Sequence, residues 1–290
     1  MTVETFRAGC KVNLYLRLTG VREDGYHTLE SLFLPLDTPF DTITITPTTA
    51  SGGRGFSFDC SDTALASGNI LEKTYNAFTN ATAFAPDINI YLKKNIPYGA
   101  GLGGGSSDAA VLLRYLNDSA RACGATCLAA AELVALAAKL GADVPFFLSG
   151  TPSLVKGIGE IIEPVSNPVS GMHLVLVCPK IHVQTAWAFR AWDEKNMEKH
   201  QANNLTNKGE NDTEPLVCGI CIQNDLASVV FEEHPELREV VAVLYSHGAD
   251  AAAMSGSGSS LFGLFSDELD AKNAESFFQS KGERVFRHIL

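Results

Sequence analysis

A chain of 290 residues, 46% hydrophobic and 19% charged, is long enough for one large or two ordinary domains with real cores. Its formal charge of −11 and the absence of any Lys/Arg run exclude a general nucleic-acid binder, so a site for a polyphosphate must be basic locally. No basic and apolar leader pattern stands at the N-terminus and Glu132 and Lys139 interrupt the most apolar helical stretch, so the expectation is a cytoplasmic protein without a membrane partner.

From Phe6 to Thr19, Val12, Leu14, Leu16 and Leu18 alternate with Lys11, Asn13, Tyr15 and Arg17, which predicts a half-buried strand with Lys11 and Asn13 on its polar, solvated face. The turn at Arg22 to Gly25 leads to Tyr26 and His27, residues suited to stacking on a flat ring and to bonding its edge, though each is also an ordinary surface or packing residue. Strands are expected over Leu29–Leu36, Asp41–Thr46 and Phe56–Asp59, a helix capped near Gly68 or Asn69 over Asn69–Phe84, and a further strand over Asp87–Lys94.

That strand feeds the most informative stretch, in which positions 99–105 hold five glycines and helix-forming residues follow directly. Glycine accepts positive φ and lets a ligand approach the main chain, so such a run can turn successive N–H groups inward as an anion nest. Ser106, Ser107 and Asp108 are expected to cap the following helix, Ser107–Ala122, whose N-terminus favours a polyphosphate; the serine hydroxyls can add hydrogen bonds or a magnesium contact. Gly99, Gly101 and Gly104 also satisfy G-x-G-x-x-G, yet the segment stays helical where a dinucleotide fold needs its acidic strand end. There is no H-R-D or D-F-G of protein kinases and no G-x-x-x-x-G-K-[ST].

A helix over Ala129–Leu140 precedes Gly141-Ala142-Asp143-Val144-Pro145, where a lone carboxylate among apolar residues either caps a structure or does chemistry. Gly150 to Gly171 holds the expected passage between domains 1–160 and 161–290. Beyond it come a buried strand over Met172–Cys178, a helix over Thr185–Asp193, an exposed loop over Ala202–Pro215 and a helical pattern over Asn224–Tyr245. A second glycine and serine run, 255–260, leads to a closing strand, helix and strand, which suggests helices on one face of an antiparallel sheet. Cys218 and Cys221 have C-x-x-C spacing without neighbouring ligands, so the seven cysteines read as reduced thiols and no metal-ligand set is assigned.

Three separated segments, Lys11–Leu14, Pro97–Ala110 and Ser255–Ser260, resemble the ordered motifs of the GHMP kinase superfamily. With Gly25-Tyr26-His27, Gly141 to Phe147 and Asn224-Asp225-Leu226, the resemblance spans nearly the whole chain. It implies an α+β, two-domain GHMP kinase fold, the N-terminal domain similar to ribosomal protein S5 and the C-terminal one ferredoxin-like. It also implies phosphoryl transfer from ATP with Mg2+ to a small-molecule cytidine diphosphate derivative, by a monomer or weak homodimer. On this resemblance Asp143 is the catalytic base with Lys11 as its charged partner. Lys94 lies near the adenosine, and Pro97, Gly99, Gly101, Leu102, Gly103, Gly104, Gly105, Ser106 and Ser107 hold ATP. Asn13, Tyr26, His27, Thr185, Phe189, Ser257 and Gly258 meet the acceptor, with Trp187 competing against Phe189 to stack on the base. Gly25-Tyr26-His27 argues against homoserine or mevalonate, which have no base to stack, and the presence of both Lys11 and Asp143 argues against an inactive nucleotide sensor.

Overall fold

The computed structural model describes residues 2–48, 55–65, 67–202 and 216–290, with 197–202 described as backbone only. Two long strands, β1 (Glu4–Val21) and β2 (His27–Pro47), form an antiparallel hairpin to which the rest of the first half is added. β3 (Phe56–Cys60), helix α1 (Ile70–Thr82), β4 (Ile88–Lys93), helices α2 (Gly104–Ala122), α3 (Ala130–Leu140) and α4 (Val144–Ser149), then β5 (Ser153–Gly157) and β6 (Ile161–Pro164) follow. The sheet runs β3-β4-β2-β5-β6 with β1 against β2, and β3 and β4 are its parallel pair. The two strands expected over 29–36 and 41–46 are thus one, because a single partner strand, β1, reaches along both through register shifts at Ala8/Cys10 and Asn13/Tyr15.

The second half opens with β7 (His173–Cys178), α5 (Thr185–Ala202) and the small hairpin β8 (Leu216–Val217) and β9 (Ile220–Cys221). It continues with α6 (Ala227–Glu233), α7 (Pro235–Ser246), β10 (Ala251–Met254), β11 (Leu261–Phe265), α8 (Glu268–Ser280) and β12 (Arg284–Ile289). Its sheet is antiparallel in the order β10-β11-β7-β12. The single helical pattern expected over 224–245 is two helices, since Pro235 has no N–H to continue the first and sits instead at the start of the second. Helix α5 runs past the expected Asp193, and residues 203–215 of the expected loop lie outside the described residues. Cys218 and Cys221 belong to the β8–β9 hairpin, with Cys218 and Gly219, at φ +51° and +81°, making its turn.

The two sheets share a core. Val12, Leu14, Leu34 and Leu36 of the hairpin meet Leu174, Leu176, Phe262 and Leu264. The alternate residues Val175 and Val177 face Leu244, Ala274 and Phe278 from α7 and α8, so β7 is buried on both faces, and the expected helices do lie on one face of this sheet. In the first half, Ile43, Ile45, Ile88 and Ile90 pack beneath Leu71, Phe78, Leu112 and Leu116 of α1 and α2. β1 is therefore covered on both sides at its centre, and Lys11 and Asn13, 3% and 1% exposed, are not on a solvated face. The expected division at 160/161 falls between β5 and β6, which pair with each other in the first sheet.

Phe78, fully buried between α1 and the first sheet, tests this arrangement. Phe78→Ala is expected to lower stability by about 3–5 kcal/mol, read as a shift of the urea unfolding midpoint.

Candidate active site

The loop between β4 and α2 is fastened from behind by its carbonyls. Ala100 O accepts from Ser260 N at 3.2 Å, Gly101 O from the Ser255 hydroxyl at 3.0 Å, Leu102 O from Lys11 N at 3.0 Å and Gly103 O from Ser107 N at 2.9 Å. With these carbonyls occupied, the amides at the head of α2 are the groups that helix geometry leaves free, since Ser107 is the first to find a partner four residues back. Gly103, at φ +72°, stands at the N-cap, and no side chain caps the helix. The expected caps do other work: Ser107 and Asp108 are buried in the helix, and of the two serines only Ser106 lines the cleft. Gly101, at φ +74°, has room for no side chain, because a Cβ there would stand 2.0 Å from Ser255 O.

A cleft of about 1040 Å³ opens over this loop. Its floor carries Lys11 and Asp143, Nζ to Oδ2 at 3.6 Å. Lys11 comes from β1 and donates to Asn13 Oδ1 at 2.5 Å; Asn13 in turn donates to Ser31 Oγ at 2.9 Å. Asp143 is set by the tight Gly141–Val144 turn that starts α4, where Pro145 suits the first helical turn. Burial lowers the Lys11 ammonium from the usual lysine range and Asp143 partly restores it. The phenyl ring of Phe33 lies 4.7 Å under the same nitrogen.

At one end the cleft wall carries Tyr26, His27 and Phe189. Tyr26 is 61% exposed, while the His27 ring lies 4.9 Å from that of Phe189, tilted by 43°. Trp187 turns away to meet His234 at 6.3 Å, so between the two aromatics it is Phe189 that faces the cleft. Thr185 Oγ1 and Ser257 Oγ, 2.9 Å apart, close the same side. Pro97, Gly99, Gly101, Leu102, Gly104 and Gly105 are all on the wall, as are Gly103 and Ser106. Ser107 and Gly258 are not: Ser107 is buried in α2, and Gly258 bonds back to Ser255 O against the Met254 side chain.

Lys94 lies on the wall but is held rather than free. Its ammonium pairs with Asp41 and, at 2.9 Å, with Asp108, both carboxylates being essentially buried. Burial works to lower the Lys94 ammonium, and the two carboxylates outweigh it, so the group is raised. Asp108 is pushed up to about 8, first by burial and further by Asp41, against the pull of Lys94; its Oδ1 is buried without a hydrogen-bond partner. Asp41 also accepts the amides of Asn95 and Ile96 at 2.6 and 2.8 Å, which fixes the chain entering the glycine loop. Sequence reasoning missed Asp41, Asp193 and Ser255 as individual site residues. For Asp41 a signal was present: with Ile43 and Ile45 it shares the core-facing side of an alternating strand.

The chain matches two family models, GHMP kinases N terminal domain over residues 69–151 and GHMP kinases C terminal over residues 198–284. It belongs to the GHMP kinases: it is a kinase, and ATP is its phosphoryl donor. It is 41% identical over 288 residues to 4-diphosphocytidyl-2-C-methyl-D-erythritol kinase of Nitratidesulfovibrio vulgaris Hildenborough, covering 99% of this chain and 98% of the relative. The Lawsonia intracellularis protein of the same name is also 41% identical, over 99% of this chain and 96% of its own. Among solved structures, a crystal structure of 4-(cytidine 5'-diphospho)-2C-methyl-D-erythritol kinase superposes with a TM-score of 0.76, at 31% identity over 98% of both chains.

Two outcomes are expected. Gly101→Ala should weaken binding of a non-hydrolysable ATP analogue by roughly tenfold or more, read by calorimetry, because the loop cannot hold its conformation with a Cβ against Ser255. Asp108, raised in the folded state above its unfolded value near 3.8, contributes most below pH ~4 and loses that contribution as pH rises toward 8. Asp108→Asn should therefore gain stability relative to the parent between pH 4 and 8 and keep a constant difference above that, in urea titrations across pH.

Proposed function

We propose that this protein transfers the γ-phosphoryl group of ATP to the 2-hydroxyl of 4-diphosphocytidyl-2-C-methyl-D-erythritol, in the non-mevalonate route to isoprenoid precursors. The observation that carries this reading is the Lys11–Asp143 pair, 3.6 Å apart, in one cleft with a glycine loop and with Tyr26, His27 and Phe189. The similarity to kinases of that name over whole chains supports it.

In this reading the amides at the head of α2 bind the phosphates, as helix N-termini do, and the tied loop keeps them oriented before the nucleotide arrives. Asp143 accepts the hydroxyl proton as the new P–O bond forms and the bond to the departing ADP oxygen breaks. Lys11, against Gly103, neutralises charge between the carboxylate and the transferred group. Tyr26 and Phe189 hold the cytosine ring between them, His27 reads its edge, and Asn13, Thr185 and Ser257 line the passage to the reacting hydroxyl. Lys94 acts near the adenosine end through the loop it braces with Asp41 and Asp108, and does not need to be a free cation.

Magnesium belongs to the same proposal. Among the described residues no group of three or more His, Cys, Asp or Glu could cage a metal, which suits an ion that arrives on the triphosphate and takes only one or two protein oxygens. The Ser106 hydroxyl at the head of α2 is the side chain that would hold it, and the ion would offset phosphate charge when bound. The division into an ATP-binding, catalytic N-terminal domain and a C-terminal domain is proposed with the seam a few residues past 160, after β6. No helix of the described residues is long and apolar enough to cross a membrane; a cytoplasmic location and a monomer or weak homodimer complete the proposal.

The test is ADP release from ATP and magnesium with the cytidyl substrate, with homoserine and mevalonate in parallel. ADP formed with the cytidyl substrate alone is the expected result. Turnover of another acceptor, or nucleotide binding without turnover, would replace the reading. Asp143→Asn should lower kcat by about 10²–10⁴ while leaving the KM for the acceptor within a few-fold.

A further inference from the structure

Asp193 has no task in the mechanism above, yet it touches the residue that reads the base. It follows Phe189 by four residues on α5, so the two share a helix face, and both line the cleft. Asp193 Oδ1 lies 2.7 Å from His27 Nε2. A carboxylate can only accept, so in a neutral imidazole this contact puts the proton on Nε2 and leaves a lone pair on Nδ1. The ring is not free to exchange its ends. The side chain is 10% exposed, with Phe189 at 4.9 Å and the edge of Trp192 at 6.1 Å. Among the described residues Nδ1 has no hydrogen-bond partner.

We propose that Asp193 is a positioning residue that sets base specificity: by holding the Nε2 proton it presents His27 Nδ1 to the cleft as an acceptor. An acceptor there fits the exocyclic amine of cytosine and opposes the carbonyl that uracil carries at the same place. A site built around one hydrogen-bond polarity discriminates well, because the wrong base leaves buried polar groups facing like against like. This inference rests on the cytidyl reading and goes further than it, since a stacking platform of Tyr26 and Phe189 holds either pyrimidine equally.

The experiment is calorimetric titration of the full chain with CDP and with UDP, for the parent, Asp193→Ala and Asp193→Asn, with a non-hydrolysable ATP analogue as the control for an intact fold. The parent should prefer CDP. Asp193→Ala should lose CDP affinity by roughly tenfold, the scale of one buried hydrogen bond, with UDP affinity changed less than about twofold. Asp193→Asn should keep most of the preference, since its amide oxygen accepts the same proton, and the ATP analogue should bind all three alike. Equal losses for CDP and UDP would reduce Asp193 to a structural role and overturn the proposal. So would an unchanged preference in Asp193→Ala. A parent that prefers UDP would mean that Nδ1 donates, which overturns the proposal while leaving a pyrimidine site. A parent that binds neither nucleotide would overturn the cytidyl reading together with it.

Discussion

The arrangement on which the rest depends is the set of hydrogen bonds to the four successive carbonyls from Ala100 to Gly103. A glycine-rich backbone has little side-chain packing of its own, and a buried carbonyl without a donor is costly. The donors come from three separate places: Lys11 N in the first strand, Ser255 and Ser260 beside the last sheet, and Ser107 in the helix that the loop starts. Meeting all of them at once requires the long hairpin, both sheets and α2 to converge on one loop. The shared core between β1, β2, β7 and β11 is what makes that convergence stable.

Charge follows the same plan. The protein carries −11 overall, and in the proposed function its cleft receives a triphosphate. Buried cations are supplied singly, each with carboxylate company: Lys11 with Asp143, and Lys94 with Asp41 and Asp108. Taking a lysine out of water weakens its charged form, and a carboxylate beside it restores part of what burial removes. In the proposed function the attraction for phosphate then rests largely on backbone amides, whose partial charges are fixed by geometry and need no counter-ion.

Much of this was legible in the sequence, for definite reasons. Glycine density at 99–105 has few other uses between a strand and a helix, and the motifs around it identified the fold. Alternation found the strands, but it could not tell that β1 is covered on both sides, because Lys11 and Asn13 look like any solvated polar face until the second half of the chain is folded over it. The serines after the loop were read as caps from local chemistry, whereas tertiary contacts bury Ser107 and Asp108 and leave the cap to Gly103. Asp193 and Ser255 were invisible as partners since the residues they meet, His27 and Asn13, are 166 and 242 positions away. Long-range polar pairs leave no local period.

Asn224 shows what this interdependence means for how such a chain can change over generations. Its side-chain amide donates to Met254 O at 2.7 Å and Gly256 O at 2.8 Å, and the neighbouring Asp225 accepts Leu18 N at 2.7 Å. One short segment thereby couples the first strand to the second glycine run, which in turn faces Gly101. Halves of this molecule are consequently poor units for exchange among homologues: a crossover between residues 20 and 224 would part Leu18 from Asp225 and place together surfaces with separate histories. What must be inherited intact is the seam, and recombination in such a lineage would leave its mark at the outer helices and loops.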